Sequence, residues 1–211
     1  MSYQCPDELG DSYFQGYLDD QAFCYDHDQE GMLGYIALTT AFISEGPEIN
    51  TNQIAQGNTA VHLTIGFISF SNTAPSHYVV INFPTEKVGT SFYDLVKKYI
   101  KKEGLLPIRS IGDNNNEHYE INFNILSEKN TTGGHLQYIK SSKFGSQPEN
   151  AYLRITSLDI LPLGPIEEEY SVKFEFTCDL YDSNHDFFEQ AYFGHLNNCE
   201  MQLIFRLQKT E

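Results

Sequence analysis

Residues 25–31, YDHDQEG, have the composition of a calcium loop. Asp26, Asp28 and Glu30 supply carboxylates at alternate positions, and a glycine follows them directly. An EF-hand needs a bidentate glutamate twelve positions into its loop and helices on both sides, whereas here Ala37 takes that position and the flanks are typical of strands. Two interpretations stay open: a looser calcium site formed by the three carboxylates, and a hairpin turn in which Asp side chains bond their own backbone.

Other residues that could bind metals or catalyse reactions form no recognised pattern. The sequence has no HExxH, CxxC, GxSxG, P-loop or GxGxxG motif. The stretches at 113–117 and 182–186 are rich in Asp and Asn and have the same two interpretations as residues 25–31. Carboxylates are so numerous that a glycosidase-like pair is compatible with the sequence, but no pair can be singled out.

The four cysteines allow several arrangements. Cys178 and Cys199 share the inward parity of their predicted strands, so they could form a disulfide, and Cys24 could meet Cys5. Alternatively all four are buried thiols, since an unpaired cysteine packs like a small apolar residue. Cys5 could also be the lipid-bearing first residue of a mature lipoprotein.

Charge limits the class of partner. The net charge is −16, and residues 1–86 contain eleven acidic side chains but neither Lys nor Arg. A negative surface of this kind repels phosphate, which disfavours nucleic acid and anionic lipid. It is compatible with divalent cations, basic partners and neutral glycans.

The chain has no apolar run of the ~20 residues that a membrane-spanning helix needs. Its first ten residues, MSYQCPDELG, have no hydrophobic stretch of the kind found in a signal peptide. We expect that an export signal has been removed, and hence that the protein is periplasmic or on the outer surface, with lipid anchoring as an option.

Alternation of apolar and polar residues is the strongest structural signal. In residues 170–180, YSVKFEFTCDL, every second side chain is apolar, and residues 119–125 and 200–207 repeat the pattern. Such alternation predicts antiparallel strands with one buried face. The more apolar residues 61–70 and 78–83 are predicted to be central strands, and a parity change near Ser157 predicts a bulge.

Helical spacing occurs in residues 91–103. Phe92, Leu95, Val96, Tyr99 and Ile100 fall on one face, and lysines occupy the other. The sequence therefore predicts one domain, 1–211, folded as an all-β antiparallel sandwich of jelly-roll or immunoglobulin-like type, with one crossover helix near 91–103.

Both ends of the chain resemble secreted Bacteroidetes-type lipoproteins of uncharacterised function. Near the start, FQGYLDDQAFCY is similar to their aromatic strand and turn, with matches at Asp19, Asp20 and Phe23. Near the end, the strand pair that contains Gly194 and Phe205 is similar to their closing pair. The resemblance implies an exported β-sandwich at the cell surface and carries no catalytic residues.

Together these features favour a non-enzymatic module, exported or at the cell surface, that binds a glycan or another protein. The alternative from another class is a carboxylate-dependent hydrolase acting on a glycan. No cofactor is expected, apart from calcium if residues 26, 28 and 30 form a site. The sequence predicts no ligand identity and no oligomeric state.

Overall fold

The computed structural model describes residues 11–26, 32–39, 60–61, 64–71, 76–84, 86–87, 92–100, 103–108, 118–126, 136–137, 139–141, 146–182 and 191–209. Within these residues the chain forms thirteen strands and one helix. In chain order they are β1 (Tyr13–Leu18), β2 (Gln21–Asp26), β3 (Met32–Thr39), β4 (Ala60–Val61), β5 (Thr64–Ser71), β6 (Ser76–Asn82), β7 (Glu86–Lys87), α1 (Phe92–Ile100), β8 (Glu120–Leu126), β9 (Leu136–Gln137), β10 (Ile139–Lys140), β11 (Tyr152–Pro162), β12 (Glu167–Asp182) and β13 (Ala191–Gln208).

Eleven of the strands form one sheet with the order β2-β1-β13-β12-β10-β8-β6-β5-β3, in which β11 also pairs with β12 and β9 with β8. The pairings between these strands, and that between β4 and β7, are antiparallel. β5 and β6 are internal strands, as their apolar sequences predict. The prediction of an antiparallel all-β fold is confirmed.

The sheet curls so that its two arms pack face to face. Five strand spacings of ~4.8 Å would separate β2 from β8 by about 24 Å in a flat sheet. The ring centroids of Phe23 in β2 and Phe123 in β8 are only 5.9 Å apart, and Phe14 in β1 lies 6.1 Å from the same ring. This packing gives the sandwich-like fold that the sequence predicts.

The long strands β12 and β13 pair along most of their length and form the centre of the core. Their inward side chains are those predicted from the alternation, and burying each large apolar one contributes about 1.5–3 kcal/mol. The buried set on these two strands includes Tyr170, Val172, Phe174, Phe176, Cys178, Leu180, Met201, Leu203, Phe205 and Leu207.

Bulges interrupt the register of the long strands. β11 and β12 shift between Ile155 and Ser157, where the parity change predicted a bulge. β12 and β13 shift twice, between residues 176 and 178 and between residues 180 and 181. Each shift changes which side chains of the two strands lie opposite each other, which matters for the candidate site below.

Gly16 lies at a further register shift, between β1 and β13. A Cβ atom added to Gly16 would lie 2.6 Å from Sγ of Cys199 and 2.9 Å from its Cα. Because one of these atoms belongs to the backbone, a larger residue could fit only by moving a strand. Glycine is therefore needed for the close approach of β1 to β13.

Helix α1 is confirmed, with four of its predicted apolar residues buried: Leu95, Val96, Tyr99 and Ile100. The side chain of Phe92, and the residues Ser91, Lys101 and Lys102, lie outside the described residues. Glu103 and Gly104 are not helical. The ring of Tyr99 meets that of Tyr119 edge to face at 6.3 Å, so the helix packs on the sheet at the start of β8.

Cys24, Cys178 and Cys199 are buried thiols, so Cys178 and Cys199 are not joined by a disulfide. Both lie in the core, as their parity predicts. Burial raises the pKa of both thiols, because a thiolate is poorly solvated there. Cys5 lies outside the described residues.

One predicted loop contains sheet structure. Residues 127–150 are rich in Asn, Gly, Ser and Pro, a composition that predicts a loop, but β9 and β10 lie within them. Lys140 pairs with Asn122 on one side and Tyr181 on the other, so β10 joins β8 to β12. Its two residues are too short to show alternation, and so no pattern in the sequence indicated them.

Candidate functional site

The three carboxylates predicted to bind calcium lie outside the part of the chain whose side chains the structure describes. Asp26 is the last residue of β2, and its side chain, together with Asp28 and Glu30, lies outside the described residues. In the described part of the chain, no group of three or more His, Cys, Asp and Glu side chains is placed to hold a metal ion. Calcium binding at residues 26, 28 and 30 stays a prediction.

The sheet register instead brings together two residues that could form hydrogen bonds to a ligand. Asp179 on β12 lies opposite His195 on β13, and Nδ1 of His195 is 2.6 Å from Oδ1 of Asp179. Both side chains are partly open to solvent, with exposures of 26% for His195 and 20% for Asp179. This contact through Nδ1 fixes the orientation of the imidazole ring, so that Nε2 of His195 is directed away from the Asp179 carboxylate.

Asp19 holds the backbone of His195 from the neighbouring hairpin. The backbone N–H of His195 donates to Oδ1 of Asp19 at 2.9 Å, and the backbone N–H of Asp19 donates to the carbonyl of His195 at 2.8 Å. Asp19 has a φ of 53°, a left-handed conformation that Asp tolerates better than most residues. A Cβ on Gly194 would lie 3.1 Å from Oδ2 of Asp19, so glycine leaves room for this carboxylate.

Gln147 fixes the other strand of the pair. The backbone N–H of Asp179 donates to Oε1 of Gln147 at 2.9 Å, and Nε2 of Gln147 donates to the Asp179 carbonyl at 3.0 Å. β11 pairs with β12 as far as Thr177, and β10 begins its pairing at Tyr181. The Gln147 amide therefore replaces a missing strand between β11 and β10 and satisfies the backbone of β12 there.

Two exposed tyrosines flank the pair. Tyr17 on β1 is 45% exposed, and Tyr192 on β13 is 57% exposed. Tyr17 lies opposite Asn197, two residues from His195 and thus on the same face of β13. Tyr192 lies opposite Tyr181, whose ring it meets edge to face at 6.0 Å. We call Tyr17, Asp19, Asp179, Tyr192 and His195 the tyrosine–histidine patch.

The patch is electrostatically negative. Burial raises the pKa of Tyr192, and the charges of Asp179 and Asp19 raise it further. The pKa of Tyr181 is raised in the same way, by burial and then by Asp179. The phenols therefore stay neutral, and an anionic group approaching them is repelled.

A second polar network lies further along β13, around Glu200. Tyr13 and Gln15 on β1 donate hydrogen bonds to Oε1 of Glu200, and Nζ of Lys173 is 2.9 Å from its Oε2. Burial acts to raise the pKa of Glu200, but the bonds from Tyr13 and Lys173 outweigh it and lower the pKa. Burial and the bond to Glu200 raise the pKa of Tyr13 to about 12. These groups bond one another and connect three strands.

A third network joins the helix to the sheet. The hydroxyls of Tyr170 and Tyr93 donate to Oε2 of Glu168 at 2.8 Å and 3.0 Å, and Nζ of Lys209 is 3.1 Å from Oε1. The bond from Tyr170 contributes most to lowering the pKa of Glu168 to about 2, and the contacts with Lys209 and Tyr93 add to it against the opposing effect of burial. Because Tyr93 belongs to α1, Glu168 has a structural role.

Sequence patterns alone did not find the tyrosine–histidine patch. The outward parity of Asp179 was visible, but its partner depends on two register shifts in the β12–β13 pair. Asp19 was noted only in the resemblance to secreted lipoproteins. The sequence has no signal for this pair, because the predicted last strand, residues 200–207, does not reach His195.

Comparison of the chain with protein-family models, with curated proteins and with solved structures finds no match. The resemblance to secreted lipoproteins therefore stays an expectation. Across the described residues, no helix is both long enough and apolar enough to span a bilayer.

Proposed function

We propose that the protein is a non-enzymatic binding module and that the tyrosine–histidine patch binds a glycan. The observation that carries this proposal is the position of two exposed tyrosines beside the Asp179–His195 pair on one sheet face: Tyr17 lies opposite Asn197, and the bulge at residues 192–194 places Tyr192 opposite Tyr181, two residues from Asp179. A flat aromatic ring packs on the apolar face of a sugar, while carboxylate and imidazole groups form hydrogen bonds to its hydroxyls. The patch offers both kinds of contact.

The dimensions of the patch favour a chain of sugars over a single one. Tyr17 lies opposite Asn197, and Tyr192 is five residues from Asn197 along β13. Because of the bulge these residues lie beside only 177–181 of β12, so at ~3.3 Å per residue the separation is about 13 Å, which exceeds the length of one sugar ring. The Asp179–His195 pair lies between the two tyrosines along the strand. We therefore propose an oligosaccharide ligand that contacts both rings.

The charge of the patch favours a neutral glycan. Asp19 and Asp179 flank His195, and the chain as a whole has a net charge of −16. Sulfated and carboxylated sugars would be repelled by this field. A location at the cell surface or in the periplasm is compatible with such a ligand and stays a prediction.

The alternative, a hydrolase with a carboxylate pair, needs one carboxyl with a raised pKa to act as general acid. In the part of the chain that the structure describes, the two carboxyls with a shifted pKa are Glu168 and Glu200, and both are shifted downward. Both also have donors bound to their oxygens. These observations favour the binding module.

The test is an array of neutral and anionic glycans followed by calorimetric titration of the best binder. We expect neutral oligosaccharides to bind and Tyr192→Ala to weaken binding by about tenfold, which is ~1.4 kcal/mol and is typical of losing one aromatic contact. Tyr192→Phe keeps the ring and should bind like the unmodified protein.

Leu105→Ala is the matched surface control, because Leu105 is 69% exposed and lies outside the patch. It should bind like the unmodified protein. Equal binding by Tyr192→Ala and the unmodified protein would contradict the proposed site. Release of shortened sugars during incubation would favour the hydrolase.

A further inference from the structure

The end of β11 and the turn that leads to β12 form an exposed apolar segment. Residues 161–166 have the sequence LPLGPI, in which none of the six has a polar side chain, and all six are exposed. Leu161, Leu163 and Ile166 are 56%, 39% and 57% exposed. Turns are usually built from Gly, Asn, Asp, Ser and Pro, so Leu163 and Ile166 are unusual in a turn, and Leu161 extends the apolar surface onto the end of β11. We call residues 161–166 the apolar tip.

The apolar tip is held in one conformation by its backbone. The N–H of Leu163 donates to the carbonyl of Glu167 at 3.0 Å, and the N–H of Lys209 donates to the carbonyl of Ile166 at 2.8 Å. Pro162 and Pro165 have a fixed φ, and Gly164 has a φ of +145°, which other residues rarely adopt. Little conformational entropy would therefore be lost when the tip binds.

The tip also has few polar groups to desolvate. Its two prolines lack a backbone N–H, and the N–H of Leu163 is already bonded within the turn. An unsatisfied backbone group costs several kcal/mol in a bilayer interior, which is why most loops stay in water. For the apolar tip this cost is smaller, because fewer of its backbone N–H groups are unsatisfied. Its three large apolar side chains nevertheless lie outside the core.

We propose that the apolar tip inserts into the interface of a zwitterionic lipid bilayer. Its base has charges of both signs: Lys209 is paired with Glu168, and Arg206 is paired with Glu169. Because these charges are paired with each other, they leave little net charge at the base of the tip, which is compatible with a headgroup layer that has no net charge. A net charge of −16 repels an anionic bilayer. The apolar tip therefore differs from the basic patches by which other proteins bind acidic lipids.

The chain has no tryptophan, so one introduced residue can report on the tip alone. Leu163→Trp should show a blue shift of its fluorescence on addition of phosphatidylcholine vesicles, because the indole moves from water into the bilayer interface. Leu105→Trp is the matched control and should show no shift. Leu106 forms an antiparallel bridge to Leu153, which places Leu105 beside Arg154, about 23 Å from Leu161 along β11 at ~3.3 Å per residue.

Vesicle flotation gives a second measurement. The unmodified protein should float with phosphatidylcholine vesicles and bind less to vesicles of equal parts phosphatidylcholine and phosphatidylserine. The double substitution Leu163→Ser and Ile166→Ser should weaken binding by at least about tenfold, because two apolar side chains no longer leave water. Leu105→Ser should bind like the unmodified protein.

Three results would overturn the proposal. The first is that the unmodified protein fails to float with phosphatidylcholine vesicles. The second is that Leu163→Trp and Leu105→Trp respond alike. The third is sedimentation of the protein as a dimer that the double substitution dissociates, without vesicle binding, since the tip would then bind a second copy of this chain.

Discussion

At the scale of single residues, two kinds of carboxylate contact can be distinguished. Glu168 and Glu200 are surrounded by donors and have lowered pKa values, so they connect secondary-structure elements. Asp179 and His195 bond each other through one carboxylate oxygen and Nδ1, which leaves Nε2 of His195 directed away from the carboxylate. A ligand can use unoccupied donors and acceptors, so the second kind is the better candidate for binding.

Glu168 gives a prediction at this scale. The pKa of its carboxyl is lowered from 4.5 to about 2 in the folded protein, mainly by the bond from Tyr170. Folding therefore favours the ionised form, so Glu168 stabilises the protein above pH 4.5 and this contribution is lost as the pH falls toward 2.

Melting temperatures of the unmodified protein and of Glu168→Gln, measured across this pH range, test whether the stabilisation by Glu168 falls as the pH is lowered. The difference between the two proteins should be largest and constant above roughly pH 5.5, one unit above the ordinary pKa of 4.5, where Glu168 is ionised in both folded and unfolded chains. It should shrink steadily toward pH 2. A difference that does not change with pH would show that the charge of Glu168 contributes nothing.

At the scale of secondary-structure elements, local sequence patterns predicted where strands and the helix form better than which side chains of neighbouring strands lie opposite each other. The alternation in residues 170–180 and 200–207 predicted two paired strands, and the helical spacing from Leu95 to Ile100 predicted α1, because each pattern reflects one buried face. The Asp179–His195 pair could not be predicted, because it depends on bulges that shift the register. The Gln147 contact was also missed, since a side chain that replaces a strand leaves no periodic signal.

Leu95 tests how strongly α1 is anchored. Its side chain is fully buried in the core beneath the helix, so Leu95→Ala should leave a cavity and lower the free energy of unfolding by about 2–5 kcal/mol. Leu105→Ala makes the same chemical change at a site that is 69% exposed, and it should change stability by less than about 0.5 kcal/mol. Denaturant unfolding measures both. Equal effects of the two substitutions would contradict the packing of α1.

At the scale of the whole molecule, β12 separates the two proposed surfaces. The apolar tip precedes the strand, and Asp179 lies thirteen residues beyond Ile166, which is about 40 Å of extended chain. A protein held at a bilayer by residues 161–166 would present the tyrosine–histidine patch away from the lipid. The single-domain organisation and the location outside the cytoplasm stay predictions.

The central claim is that a glycan binds at the tyrosine–histidine patch, and NMR spectroscopy of the labelled protein tests it most directly. Titration with the best oligosaccharide from the array should shift the signals of Tyr17, Tyr192 and His195. The signals of Leu161 and Ile166, at the opposite end of β12, should not move. Shifts confined to residues outside the patch, with those of Tyr192 and His195 unchanged, would contradict the claim.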